Sequence, residues 1–394
     1  MPVLRFAKVV GTLPPTLTPD TLYLVRVGDG VEAYCTDATG SIAYPVGSGG
    51  SAPAQSTDAI GLVQAATGGG SGYYVRIDEN FAAVTRDAAW FDAHATYAGI
   101  REEIIDGQYM VRIPKFWYQA GVVPSGQFAG KACWMISPIA RTGFSVHPAF
   151  VGADGEMDQI WVGKFKAGFD GAKLVSVPAV MPAVSMDFPT ARQRAYARNA
   201  GGVSGFRLWS VYDLSAIQML ATIEMGGLDM QSLIGQGRVS QSSAANVDAA
   251  DVAQATWRGI VGLWGNVWQM VDGLKRNGGT WWRWQYNVPG NTTTSDFATG
   301  YVNTGRAALT SSGYPVTFDT TLLSAGIIVP ATVDGTASNG STGDYFWSNT
   351  STDDRVLYHG GSWGFGARAG LFCANAYYAP SAAYSNVGAR LAKT

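Results

Sequence analysis

An α+β fold is predicted, not a doubly wound sheet, and three observations predict it. Short β-prone runs recur along the chain, only two segments carry both a helix start and a helix stop, and long Gly-, Ser- and Asn-rich stretches follow those segments.

Residues 20–46 alternate β-prone runs with tight-turn residues. Leu22, Leu24 and Val27 lead into Gly-Asp-Gly, Val31 to Tyr34 follow, and Ala-Thr-Gly precedes Ile42 to Val46. This reads as a small β-meander over 1–46, too small to be stable alone, so that it leans on a partner or a second copy. Residues 47–72 are small, polar and glycine-rich at both ends, a linker with one short helical turn around Ala59 to Gln64. Residues 73–394 then form one large domain. Strand-like runs occur at 73–77, 108–113 and 159–165. A helix over 189–202 opens on Pro189 and closes on Gly201 and Gly202, as fits a residue that lacks an N–H and one that tolerates positive φ. The strongest helix spans 209–227. Ser210 and Asp213 form its box-like start, Leu214, Ile217 and Ala221 share a face, and Gly226 and Gly227 stop it. Tryptophan-rich strands are expected near 260–271 and 280–286, and a polar loop insertion over about 287–350.

Composition excludes several functions. The chain of 394 residues is 47% hydrophobic and only 14% charged, with 27 basic against 29 acidic residues. No Lys/Arg cluster offers the basic patch that phosphate neutralisation needs, so nucleic acid is not the expected partner. No run of about 18 apolar residues predicts a membrane span, and the first residues lack a signal-peptide pattern. Synthesis in a cytoplasm and release by lysis are expected. The three cysteines, Cys35, Cys133 and Cys373, have neither C-x-x-C spacing nor a disulfide framework.

Residues 360–390 place Phe365, Phe372, Tyr377, Tyr378 and Tyr384 among Gly, Ala, Ser and Asn, without helical periodicity. Tyrosine on loops of small residues is the composition of paratopes, because its ring offers contact area and a hydroxyl with few torsions to fix. Core filling is the competing reading, and it suits Phe372 and Trp363 best. Successive strand residues face opposite ways, so at most one of Tyr377 and Tyr378 is needed inside. Of the tryptophans, Trp264 and Trp268 are expected to share an inward strand face. Trp281, Trp282 and Trp284 cannot all point inward.

Catalytic patterns are thin. His94, His147 and His359 are scattered and form no metal motif. His147 before Pro148 and His359 before Gly360 are expected to hold loops. Asp154, Glu156 and Asp158 lack the rest of a calcium loop and read as a solvated turn. Cys373 is expected to be a buried, inert thiol. There is no phosphate loop, and no fixed repeat of the kind that carries glycan depolymerases. No cofactor and no metal are expected, and the protein is expected not to be an enzyme.

Four segments in order, 206–220 (FRLWSVYDLSAIQML), 262–273 (GLWGNVWQMVDG), 359–370 (HGGSWGFGARAG) and 386–391 (NVGARL), resemble the formylglycine-generating-enzyme branch of the C-type-lectin-like fold. Segments 90–100, 107–118 and 160–165 resemble phage tail proteins carrying that fold, and 20–46 resembles N-terminal modules of phage fibres. Residues 360–390 are similar, without a gap, to the terminal segment of the tropism-determinant family of phage receptor-binding proteins, which a retroelement diversifies. The resemblance implies scaffold positions at Gly360, Gly361, Trp363, Gly370, Pro380, Ser381, Gly388, Ala389 and Arg390. It implies receptor-binding positions at Phe365, Arg368, Asn375, Tyr377, Tyr378, Ala382, Tyr384 and Ser385, with contributions from 287–350. It further implies a homotrimer on a phage tail fibre or baseplate, attached to the virion through 1–46 and binding a bacterial surface receptor (protein, pilus or glycan). The oxidases of the enzyme branch use a cysteine pair in this region; here only Cys373 is present.

Overall fold

The computed structural model describes residues 5–6, 14, 16–19, 21–27, 30–36, 39, 43–46, 56–68, 72–287 and 300–394. They fall into two units, Met1–Gln55 and Ser56–Thr394.

The first unit is a four-stranded sheet in the order Arg5–Phe6, Thr21–Val27, Gly30–Thr36, Ala43–Val46. The last three are the expected antiparallel meander; Arg5–Phe6 adds a parallel edge that no local turn signal announces. Tyr23 and Val25 alternate inward with period two, as a half-buried strand requires. Thr36 ties the sheet to its entry segment: its hydroxyl accepts from Thr21 N at 2.8 Å and donates to Thr18 O at 2.6 Å.

The second unit is mostly β with few helices, and it is organised around the Val211–Met225 helix. Ser210 caps it, Asp213 closes the capping box, and Gly226 ends it at φ 73°. The expected single apolar face is only part of the picture, because Val211 through Ile223 are all buried. Its buried polar members, Asp213, Ser215, Gln218 and Thr222, are each hydrogen-bonded. On one side lies the sheet ordered Ser145–Val146, Trp117–Val122, Ala132–Ser137, Ile60–Ala66, Tyr73–Ile77. On another lies the Trp268–Asn277 strand, in a sheet with Tyr301–Ala307, Thr280–Trp284, Arg355–His359, Ala374–Asn375 and Phe346–Trp347. Buried rings that cross these layers keep their polar ends paired: Trp134 Nε1 donates to Thr222 Oγ1 at 3.0 Å, Trp209 Nε1 to Met270 O at 2.8 Å, and Tyr97 OH to Leu220 O at 2.9 Å.

A third sheet runs Phe206–Leu208, Leu391–Lys393, Gln159–Gly163, Gln108–Pro114, Arg101–Ile105. Residues 391–393 therefore lie between two strands, not at an edge. The helix at Phe188–Tyr196 is capped by Asp187 and carries Arg192 inward, where it makes a bidentate pair with Asp272 at 2.6 and 2.5 Å.

Several expectations are corrected. The linker expected over 47–72 contains the Ile60–Ala66 strand in its second half, and residues 60–63 are buried; residues 47–55 lie outside the described ones. Its pairing with Ala132–Ser137 is long-range, and the Gly-rich flanks conceal it. The 287–350 stretch is not a plain loop insertion: Phe318, Leu322, Leu323, Val329 and Phe346 enter the main core. The first tryptophan strand runs from Trp268 to Asn277, so Trp264 precedes it on a bend; both rings are nevertheless buried. Trp281 and Trp284 are buried on opposite faces of their strand, and Trp282, on the same face as Trp284, is half-buried.

Candidate functional site

Residues 360–390 hold little regular structure of their own, yet their backbone is fastened to neighbours almost throughout. Gly360 and Gly361, at φ 92° and 75°, turn the chain away from the Arg355–His359 strand in a conformation that favours glycine. Then Trp363 N donates to Asn266 O at 3.0 Å, Gly366 N to Val239 O at 2.8 Å, and Ala376 N to Trp347 O at 2.9 Å. In the other direction, Tyr345 N donates to Arg368 O at 3.0 Å, Val356 N to Tyr378 O at 3.0 Å, Phe188 N to Pro380 O at 3.0 Å, and Ser185 N to Tyr384 O at 3.0 Å. Such a loop presents its side chains from a fixed backbone, which lowers the ordering cost of any contact they make.

The segment is also anchored from beneath. Arg390 is fully buried, and all five of its N–H groups are used. Nε donates to Gln269 Oε1 at 2.7 Å, Nη1 to Gly163 O and Lys164 O at 2.7 and 3.1 Å, and Nη2 to Val261 O and Gly262 O at 2.8 and 3.0 Å. Burial pushes its pKa down to about 9, which leaves a cation at neutral pH. Buried Asp344 accepts from Phe372 N at 2.6 Å, and Gly370 packs so closely on this carboxyl that a Cβ would lie 2.0 Å from Oδ1. Burial first, then Asp229, holds the Asp344 carboxyl well above the usual carboxylate range.

Of the positions singled out from sequence, Tyr377 (46% exposed) and Tyr384 (41%) are open, as are Arg368 and Ser385. Phe365, Tyr378 and Ala382 are half-buried. Asn375 is the exception: it is 6% exposed, and its Oδ1 accepts from Tyr377 N at 2.9 Å, so it shapes the turn instead of facing solvent. The structure gathers these residues into two aromatic groups. In one, Tyr378 packs on Tyr377, Tyr384 and buried Tyr358, with centroids 5.3, 4.9 and 5.9 Å away. In the other, Phe365 packs edge-on against Trp268 and Trp347 at 5.1 and 5.2 Å, Tyr345 lies 4.5 Å from Trp347, and Arg368 sits over the Tyr345 ring at 5.1 Å. Tyr314 extends this group, 4.9 Å from Tyr345. Tyr314, Tyr345 and Trp347 were not named individually from sequence; the aromatic residues spaced through the polar 287–350 stretch were the available signal.

Groups that suggested chemistry have structural partners. Cys373 is fully buried, and burial followed by the neighbouring Asp344 carboxylate pushes its thiol up, away from the reactive thiolate. His147 Nδ1 accepts from Ala149 N at 3.2 Å and so caps the Pro148–Phe150 turn, while His359 Nε2 meets Leu371 O at 2.9 Å. Burial pushes both imidazoles down to about 3. Lys115 lies between Glu156 and Asp158, at 3.4 and 2.9 Å, so these carboxylates already have a cation. Among the described residues, no group of three or more His, Cys, Asp or Glu is placed to hold a metal ion, and no helix is long and apolar enough to cross a membrane.

No family model matches the sequence, and no curated protein does. Among solved structures, the chain is similar to Treponema denticola variable protein 1, at 12% identity and TM-score 0.35, over 75% of this chain and 98% of that one. It is also similar to the Major Tropism Determinant P3c variant, at 11% identity and TM-score 0.28, over 99% of this chain and 98% of that one. PvdO from Pseudomonas aeruginosa matches at 12% identity and TM-score 0.28, over 75% of this chain and 97% of that one.

Proposed function

We propose that this chain is a receptor-binding protein, with its contact surface formed by the side chains of 360–390 and the adjoining aromatics of 345–347. The observation that carries this reading is the contrast between a fastened backbone and open tyrosines: Tyr377 and Tyr384 stand exposed beside half-buried Tyr378, on loops whose amides and carbonyls are engaged elsewhere. Exposed rings on a preorganised frame are the physical requirement for binding hot spots. The sequence resemblance supplies the setting: a phage tail fibre or baseplate, a C-type-lectin-like domain of the formylglycine-generating type, a homotrimer joined to the virion through residues 1–46, and a bacterial surface receptor. The activity proposed is adhesion, not catalysis. Several copies on one particle raise avidity through effective concentration even where a single site is weak.

The test is binding of fluorescently labelled, purified protein to a panel of bacterial strains, comparing wild type with Tyr377→Ala/Tyr384→Ala. Saturable binding to at least one strain, lost in a variant that melts like wild type, is expected. Undiminished binding by the double variant would overturn this placement of the site, and binding to no strain would overturn the adhesive role.

A further inference from the structure

A second site lies apart from the tyrosines. The strands Ile60–Ala66, Trp117–Val122 and Ala132–Ser137 run up to the strand Tyr314–Phe318, and between them is an open groove of about 280 Å³. None of the receptor-binding positions singled out within 360–390 lines it, although Thr317, Phe318 and Thr320 belong to the 287–350 stretch. A groove of this volume admits a small polar ring.

The lining is specific in kind. Among the described residues of the lining, Thr67, Thr317 and Thr320 contribute hydroxyls, Val122 and Phe318 contribute apolar surface, and Lys131 contributes the one charge, with no carboxylate. Gln64 is the informative member. It is 5% exposed, and its amide nitrogen is committed to Ser341 Oγ at 2.5 Å and Val316 O at 3.3 Å. That commitment fixes the amide orientation and leaves Oε1, which has no hydrogen-bond partner among the described residues, as the acceptor at the groove. The oxygen is reached by solvent at the groove, so it is available to accept from a ligand's hydroxyl.

We infer that this groove binds a neutral sugar ring. A pyranose combines hydroxyls able to donate to Gln64 Oε1 and exchange hydrogen bonds with the threonines, and C–H faces that suit Val122 and Phe318. An anion would meet a single lysine, and a cation would meet no carboxylate. Ring hydroxyls that reproduce the hydrogen bonds of displaced solvent bind without loss of polar contacts.

The experiment is saturation-transfer NMR on the full chain with the methyl glycosides of glucose, galactose, mannose and N-acetylglucosamine. Wild type is compared with Thr67→Trp and Thr320→Trp, which fill the groove from exposed positions, and with Tyr377→Ala/Tyr384→Ala. At least one glycoside is expected to receive saturation from wild type and from the tyrosine variant, and to bind about tenfold or more weakly to both tryptophan variants, whose melting temperatures match wild type. No transfer to any of the four sugars would overturn the inference. So would transfer that survives both tryptophan substitutions, or that is lost only with the tyrosines, since the sugar would then sit on the aromatic surface. Because the tyrosine variant reports separately, failure here leaves the receptor-binding surface to its own test.

Discussion

Replacing Arg390 with Met keeps the length and apolar stem of the side chain and removes its five donors. The guanidinium joins the Gln159–Gly163 strand, the 261–262 loop and Gln269 of the Trp268–Asn277 strand. Lys164 O keeps a second donor, Val261 N at 2.8 Å, so that contact is cushioned. For the other acceptors, Gln269 Oε1 and the carbonyls of Gly163, Val261 and Gly262, each stranded group costs about 1–3 kcal/mol, and no charge is left unpaired. Relief of the guanidinium's own desolvation offsets part of this, and a net loss of about 3–5 kcal/mol is expected. In a domain of this size that is a fall in melting temperature on the order of 4–7 °C. Thermal unfolding followed by circular dichroism measures it, with Arg390→Lys, which keeps the charge but not the planar fork, falling between. A Met variant melting within about 2 °C of wild type would refute the view that this cradle holds the segment in place.

Three further outcomes are expected. Asp272→Asn leaves Arg192 without its buried carboxylate and is expected to cost about 3–5 kcal/mol in denaturant unfolding, more than any of the exposed pairs such as Arg101 with Glu103. His147 and His359, pushed down to about 3, are neutral in the folded state and take up protons on unfolding below about pH 6.5. Stability is therefore complete above that pH and falls as pH drops toward 3, by up to about 1.4 kcal/mol per pH unit for each ring. Raised Asp344 works with the opposite sign, favouring the folded state on acidification, so His359→Gln should flatten the acid limb of a urea-stability series while Asp344→Asn steepens it. Buried Cys133 and Cys373 are expected to resist iodoacetamide in the native protein and to react after unfolding, as mass mapping of the two peptides would show; labelling of native Cys373 would reopen a catalytic reading.

Much of the architecture was legible where local chemistry decides it. The Ser210 and Asp213 box and the Gly226 stop define the central helix, and Pro189 marks the start of the earlier one. What remained hidden depends on partners distant in sequence. Nothing local marks residues 60–66 as a strand, because their pairing comes from 132–137 across a long separation. Phe318, Leu322 and Phe346 are scattered through a polar stretch, and only the surrounding sheets make them core. The tyrosines of the candidate site were legible as a composition. That Tyr378 rests on buried Tyr358, and that Asn375 turns inward, depends on packing that no spacing rule encodes.

The position of Leu391–Lys393 carries a consequence for biosynthesis. This strand fills the gap between Phe206–Leu208 and Gln159–Gly163, so the sheet cannot close until residue 393 has left the ribosome tunnel. Contacts of such long sequence separation form late. A nascent chain must keep the unpaired edges of both neighbouring strands soluble in the meantime, which is where chaperones act. Ribosomes that stop early release a product unable to zip this sheet shut, so that any copy displaying a folded surface has been read through residue 393.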